Sequence, residues 1–357
     1  MKTTITGTGC HVPSIVTLNQ DFLEHDFYAE NGEAFEYQNA TIIEKFKAIT
    51  GIRERRYARK DLNASDLAGF AAENAIQDAK IDPETIDYII VAHNFGDVAY
   101  GTVQGDTLPS LASRVKHLLR IENPECVAYD LLFGCPGWVE GMIQAHAFIK
   151  SGMAKRCLVI GAETLSRVVD NHDRDSMIFA DGAGATIVEA QESANTEKES
   201  GFLAHHSATF AMDEAFYLYF DKTNKEGSTS NTRYIKMHGR KVYEFACTEV
   251  PKAMKACMDK SGVPVEKVKK IFIHQANEKM DAAIIKRFYR LYGAQVPENI
   301  MPMNIELLGN SSVATIPTLF DMVRKGKLED HSLEEGDVVI FASVGAGMNI
   351  NALVYRY

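Results

Sequence analysis

Val127-Ala128-Tyr129-Asp130-Leu131-Leu132-Phe133-Gly134-Cys135-Pro136-Gly137-Trp138-Val139-Glu140 is the stretch on which the reading of this chain turns. Its first half is an apolar run of strand length. Beyond it, apolar residues at Val139, Met142, Ile143, Ala147 and Ile149 follow helical spacing. Cys135 therefore falls at a strand-to-helix turn. Pro136 suits the first helical position, where a missing N–H costs nothing, and Gly134 and Gly137 permit a tight turn and close approach by a ligand. A thiol at a helix N-terminus meets unpaired N–H groups and the positive end of the macrodipole, so the expectation is a stabilised thiolate. The alternative is an inert core cysteine. A base and a second polar group elsewhere in the chain would decide between the two.

Outward from this turn, strand-like and helical patterns alternate. In the first half they predict a strand over 3–9, helices over 42–50, 64–80 (with Ser65 as cap) and 105–119, strands over 86–91 and 157–161, and a Gly-Ala turn at 181–184 leading into 185–188. A polar, aromatic-containing stretch covers 19–39, and 191–235 is the least regular part, its polar segment 191–200 reading as a link. The pattern then restarts with helices over 239–261, 278–292 and 313–325, strands over 270–273 and 300–305, and a hairpin of 337–342 with 351–357. The two halves also match at an offset of 182 residues: 71–91 and 253–273 each give a helix, a proline, an acidic residue (Glu84, Glu266) and a strand. Ile178-Phe179-Ala180 leads to Gly182-Ala183-Gly184 just as Ile340-Phe341-Ala342 leads to Gly345-Ala346-Gly347. Two matches in order indicate a duplicated βα unit in α/β layers, divided as 1–192 and 193–357.

Composition narrows the function. The 357 residues, 46% hydrophobic, suffice for a large core, and no run reaches the roughly 18 apolar residues of a membrane span. Without the apolar stretch of a signal peptide at its start, the chain is expected to be cytoplasmic, with no membrane partner. Its six scattered cysteines contain no CxxC pair, which suggests neither a disulfide framework nor a zinc site. A net charge of -10 argues against nucleic acid as a partner. Two basic runs, 53–60 and 267–270, read as solvated faces or as local docking patches.

The duplication predicts that equivalent strand ends face one cleft. In the second half, one strand ends in His274-Gln275-Ala276-Asn277, and the strand over 300–305 leads to Gly309-Asn310-Ser311-Ser312. Singly, His274 reads as a buried histidine and Asn310 as a turn residue. Together with Cys135 they make a nucleophile, a neutral proton acceptor or donor, and a second donor.

These residues resemble the thiolase-like condensing enzymes, and within them the β-ketoacyl-acyl carrier protein synthase III family. Gly134-Cys135, His274-Gln275-Ala276-Asn277, Gly309-Asn310-Ser311-Ser312, Thr50-Gly51-Ile52-Arg53-Glu54-Arg55 and Asp181-Gly182-Ala183-Gly184 occur in that family's order. The likeness covers the chain apart from 20–40, 94–108 and 195–235. It implies two thiolase-like halves in a five-layered α-β-α-β-α arrangement, a homodimer, and Claisen condensation of an acyl-enzyme thioester with a malonyl- or β-ketoacyl-carrier protein, in fatty acid or specialised lipid synthesis. Cys135 would be acylated, with the backbone N–H groups of Cys135 and Ala346 as oxyanion hole. His274 and Asn310 would stabilise the enolate of the second substrate. No cofactor or metal is needed. Lys279, Arg167 and Arg240 would bind substrate or the acyl carrier protein, Lys279 with Lys267, Lys269 and Lys270 nearby.

The chain departs from the family pattern where a Trp and an Arg of the coenzyme A clamp are replaced by Lys45 and Ile49, while Arg167 matches the clamp's other arginine. Val344 stands where the family has a Phe thought to help expel carboxylate. His93 and Asp97 lie in the unmatched 94–108 region or at its edge, as proton-transfer groups or as parts of a solvated loop. The departures point to a specialised enzyme, one joining two carrier-bound chains in polyketide or dialkylresorcinol-type pathways being a candidate. Degradative thiolase is disfavoured, since 343–347 lacks a second cysteine. The alternative of another class is a non-catalytic partner or carrier-docking subunit on the same scaffold. A Rossmann dehydrogenase is weaker, because Gly7-Thr8-Gly9 lacks a third glycine.

Overall fold

The computed structural model describes residues 1–192 and 200–357; the expected link over 191–200 lies largely outside the described residues. In chain order, the strands of the two main sheets are β1 (Lys2–His11), β2 (Tyr88–Ala92), β3 (Val127–Leu131), β4 (Arg156–Thr164), β5 (Asp181–Gln191), β6 (Gly201–Thr209), β7 (Val268–Ile273), β8 (Val338–Gly345) and β9 (Asn349–Arg356). The helices are α1 (Asn39–Thr50), α2 (Ala64–Ala79), α3 (Leu111–Leu118), α4 (Gly137–Ser151), α5 (Gly239–Ser261), α6 (Glu278–Arg290) and α7 (Thr315–Arg324).

The first sheet runs β1-β5-β4-β2-β3 and the second β6-β9-β8-β7. The pairing repeats strand for strand. β1 with β5 and β5 with β4 are antiparallel, as are β6 with β9 and β9 with β8, while β4 with β2 is parallel, as β8 is with β7. All strands of the first sheet lie before residue 192 and all of the second after residue 200. Helices α2 and α3 cover the outer face of the first sheet, and α5 and α6 that of the second. Between the sheets lie α4 and α7, where Trp138, Ile316 and Phe320 pack with Ile90 and Val159 from one sheet and Phe272, Phe341 and Leu353 from the other. This is the α-β-α-β-α order that the resemblance implies.

Close packing of α2 has a local cause. Its buried face is alanine-rich (Ala64, Ala68, Ala71, Ala72, Ala75), and β1 meets it with glycines. A Cβ on Gly9 would lie 2.4 Å from the Ala71 carbonyl oxygen and from the Ala75 nitrogen. The cap of this helix is Asn63, in a capping box with Asp66, rather than Ser65, whose N–H and hydroxyl both donate to Asp97.

Several expectations are corrected. The strand over 300–305 does not form: Pro302 has no N–H, and the N–H groups of Asn304 and Ile305 donate to the Gln275 side chain, which in turn donates to the Pro302 carbonyl. The second sheet therefore lacks a counterpart of β3, and a single Ile271-to-Ile300 backbone bond remains there. Helix 105–119 shortens to α3, because Ser110, just after Pro109, caps it by accepting from the Ser113 N–H. The basic runs lie only partly on the surface: Arg53, Arg59, Lys60, Lys267 and Lys269 are exposed, whereas Arg55 and Lys270 are not. Arg55 is fully buried, donating to the carbonyls of Met177 and Thr17 and to Asn19, and Lys270 is turned inward onto Asn299 and His331. Among the described residues no helix is long and apolar enough to cross a membrane, and no group of three or more His, Cys, Asp or Glu could hold a metal ion.

Gly9→Val should lower stability by about 3 kcal/mol, since backbone on both sides of the new side chain cannot yield. A lower denaturant midpoint at unchanged slope is the expected reading; an unaltered midpoint would show that α2 can slide.

Candidate active site

The segment after β3, the end of β7 and the loop between the single helical turn Ile305–Leu308 and α7 all reach one cavity of about 630 Å³, lined by Cys135, His274 and Asn310 together. Its remaining wall is mostly hydrocarbon: Ile42, Phe46 and Ile49 from one face of α1, Phe179, Phe220 and Met237 from the first half's loops and a short ribbon, and Met280 and Val344 from the second half. Asn310 projects from a loop, not from a strand end. Its backbone is nonetheless fixed by donating to the Ile178 carbonyl at 3.0 Å and accepting from the Ala180 N–H at 2.8 Å.

Ser312, which sequence reading treated only as part of a motif, connects all three groups. Its φ of 51° lies in the left-handed region, and this turn lets every polar atom of the residue point at the site. The Ser312 N–H donates to Asn310 Oδ1 at 2.8 Å, which leaves the Nδ2 hydrogens of Asn310 for a ligand. Its hydroxyl donates to Cys135 Sγ at 3.1 Å. Its carbonyl accepts from the Thr315 hydroxyl at 2.9 Å, and Thr315 Oγ1 lies 2.8 Å from His274 Nδ1. The tautomer of His274 thus follows one proton. When the Thr315 hydroxyl points at Ser312, Nδ1 holds the ring proton and Nε2 accepts; when it points at Nδ1, Nε2 donates.

Two glycines bring the Cys135 and Ala346 amides together. A Cβ on Gly345 would lie 2.4 Å from the Cys135 nitrogen, and one on Gly134, at φ 67°, would lie 2.7 Å from the Ala346 nitrogen. Electrostatics correct one expectation. Burial pushes the Cys135 thiol up to about 11, with the Glu163 carboxylate adding to the rise and the Ser312 hydrogen bond opposing it. The start of α4 does not outweigh desolvation, so the resting group is a thiol. Burial also pushes His274 down to about 4, which keeps it neutral.

The other expected residues divide. Arg240 lines the cavity at its exposed edge, paired with Glu244 at 2.8 Å. Lys279 is exposed on the first turn of α6, between the lining residues Asn277 and Met280 but not itself lining. Lys267 stands at the opposite end of β7 from His274, seven residues and roughly 20 Å away, too far to act beside it. Arg167 is absent from the cavity wall. It is buried, and its guanidinium donates to the carbonyls of Val98, Arg59 and Leu62. A second arginine on the wall is Arg174, lying 5.1 Å over the Phe35 ring, while Lys45 lies 3.6 Å over Tyr37. Sequence gave little sign of Arg174 beyond a charged residue five places before Phe179. His93 and Asp97 are buried rather than solvated, and neither lines the cavity. His93 donates from Nε2 to Asp130 and accepts at Nδ1 from the Gly96 N–H; Asp97 accepts from Ser65 and from Arg114.

Known proteins resemble this chain along its length. Family models of 3-oxoacyl-[acyl-carrier-protein] synthase III match residues 129–208, and of its C-terminal part residues 258–357. The β-ketoacyl-[acyl-carrier-protein] synthase III of Cereibacter sphaeroides is 34% identical over 89% of this chain and 91% of its own length. That of Erythrobacter litoralis is 30% identical over the whole of both chains. The crystal structure of 3-oxoacyl-[acyl-carrier-protein] synthase III from Aquifex aeolicus superposes with a TM-score of 0.79 at 30% identity, covering 99% of this chain and 100% of that one.

A neutral, buried His274 carries a pH signature. Its folded pKa lies below the ordinary 6.5, so between about pH 4 and 6.5 the unfolded chain binds the extra proton and stability rises with pH. His146, also pushed down to about 4 by burial, adds in the same window. Replacing His274 by Asn should reduce the slope of unfolding free energy in that window by up to about 1.4 kcal/mol per pH unit, one proton's worth. An unchanged slope in denaturant titrations at several pH values would mean that His274 is charged in the fold.

Proposed function

Since the chain belongs to the β-ketoacyl-acyl carrier protein synthase III family of condensing acyltransferases, we propose that Cys135, His274 and Asn310 form carbon–carbon bonds between two thioester-borne substrates, the first carrying an apolar acyl chain. The observation behind this reading is the convergence of those three side chains on one apolar cavity. In the first half-reaction, the Cys135 sulfur gives up its proton to His274 Nε2, attacks the thioester carbonyl, and displaces the carrier thiolate, which takes the proton. The Cys135 and Ala346 N–H groups, set side by side by Gly134 and Gly345, receive the oxyanion. In the second, Thr315 points its proton at Nδ1, and His274 Nε2–H and Asn310 Nδ2–H hold the thioester carbonyl oxygen of a carrier-bound malonyl group while its bond to the carboxylate breaks and CO₂ departs, leaving an enolate. The α-carbon of that enolate attacks the acyl-enzyme carbonyl, and the bond to Cys135 breaks with the sulfur leaving as a thiolate.

Arg174 and Lys45, seated over Phe35 and Tyr37, and Arg240 supply cations at the cavity for the phosphate of a carrier's prosthetic arm. In this reading Arg174 replaces Arg167, and Lys279 adds charge toward an acidic acyl carrier protein. The exposed Val127 and Leu132 at edge strand β3 support a homodimer, and the two sheets support a division of the chain near residue 192. The intact trio weighs against a non-catalytic docking subunit.

Intact-mass spectrometry after incubation with acyl-coenzyme A and acyl-carrier thioesters should show one acyl adduct on the wild type and none on Cys135→Ala. Asn310→Ala should still acylate but lose condensation by about 10²–10⁴-fold, whereas His274→Ala should slow both acylation and condensation. An adduct that persists in Cys135→Ala would refute the assignment.

A further inference from the structure

A buried carboxylate lies behind the nucleophile, and no step above uses it. Glu163, 1% exposed, lies near the end of β4, and Asn94 follows the neighbouring parallel strand β2. Glu163 Oε1 accepts from both the Asn94 backbone N–H, at 2.6 Å, and Asn94 Nδ2. An ionised carboxylate can only accept, so the nitrogen of the Asn94 amide, not its oxygen, must face it. The second Nδ2 hydrogen donates to Ser312 Oγ at 3.0 Å. With that lone pair engaged, the Ser312 hydroxyl proton lies on Cys135 Sγ.

We propose that Glu163 and Asn94 are positioning residues acting through Ser312: they fix the direction of its hydroxyl, so that a donor stands ready for the Cys135 thiolate before any substrate binds. The inference rests on Cys135 being the nucleophile. Keeping an acid this deeply buried is costly, and burial pushes Glu163 up to about 7, which argues for a role that repays the cost. That role is orientation rather than charge, because the Glu163 charge by itself disfavours the neighbouring thiolate. Asn94 also begins the 94–108 segment, where the chain departs from the family pattern.

The test is the rate at which iodoacetamide labels Cys135 in the full chain near pH 8, below the thiol's titration, followed by peptide mass spectrometry. Ser312→Ala, Asn94→Ala and Glu163→Leu should each slow labelling about tenfold, the size of one hydrogen bond to a charged sulfur. Asn94→Ala combined with Ser312→Ala should be no slower than Ser312→Ala alone, since Asn94 works only through that hydroxyl. Glu163→Gln, whose side-chain oxygen accepts from the same two donors, should label at least as fast as wild type. Losses that multiply in the double variant, or Glu163→Gln as slow as Glu163→Leu, overturn the proposal. Should Asn94→Ala or Glu163→Leu not fold, the isosteric Asn94→Asp, which accepts where Asn94 donates, must slow labelling as well; wild-type labelling by that variant overturns it equally. If wild-type Cys135 labels no faster than the other five cysteines, the nucleophile reading fails instead.

Discussion

One residue in an unusual backbone conformation holds the site together. Ser312 offers a chain N–H, a hydroxyl and a carbonyl, and each is spent on a different side chain of the candidate site: Asn310, Cys135 and, through Thr315, His274. Local hydrogen bonds of this kind ordinarily divert serine from regular structure into turns. Here the left-handed φ points the three groups in three useful directions, and a helix or strand at this position would aim at most one of them at the cavity. The loop carrying Ser312 is itself fixed by Gly161, where a Cβ would stand 2.3 Å from the Val313 carbonyl oxygen.

The fold was legible in the sequence because duplication and periodicity are properties of many residues at once. The strand order repeats between the sheets, as the offset between 71–91 and 253–273 implied. The fifth strand of the second half was misread because apolar content alone marked 300–305. What decided its conformation was a proline and the side chain of Gln275, a residue 27 positions from Pro302. A side chain that takes over backbone hydrogen bonds leaves no periodic trace.

At the site, Cys135, His274 and Asn310 stood out because each ends an apolar run beside glycine or amide residues, whereas Ser312 and Arg174 did not. The role of Ser312 comes from a dihedral angle, and that of Arg174 from a tertiary contact with Phe35. Arg167 misled for the converse reason: a motif match says nothing about whether guanidinium donors already have carbonyls to bond. The sign of the thiol's shift was also hidden, since it depends on how completely the surrounding protein removes water from the sulfur.

The facing pair Gly134 and Gly345 has a mechanical consequence. Main chain abuts main chain across the boundary between the first and second halves, with Trp138 wedged against Phe341 just beneath. Such a seam has no compliant side chains to compress, so the halves cannot gape as a hinge without dismantling the centre of the molecule. Breathing that admits a chain and lets a longer product out has to come from the covering pieces instead: α1 with the 35–37 stretch, Phe95 stacked on Phe220, and the ribbon around Ile235. Turnover and substrate choice would then be tuned in the same few pieces, while the reacting atoms stay on an unyielding floor.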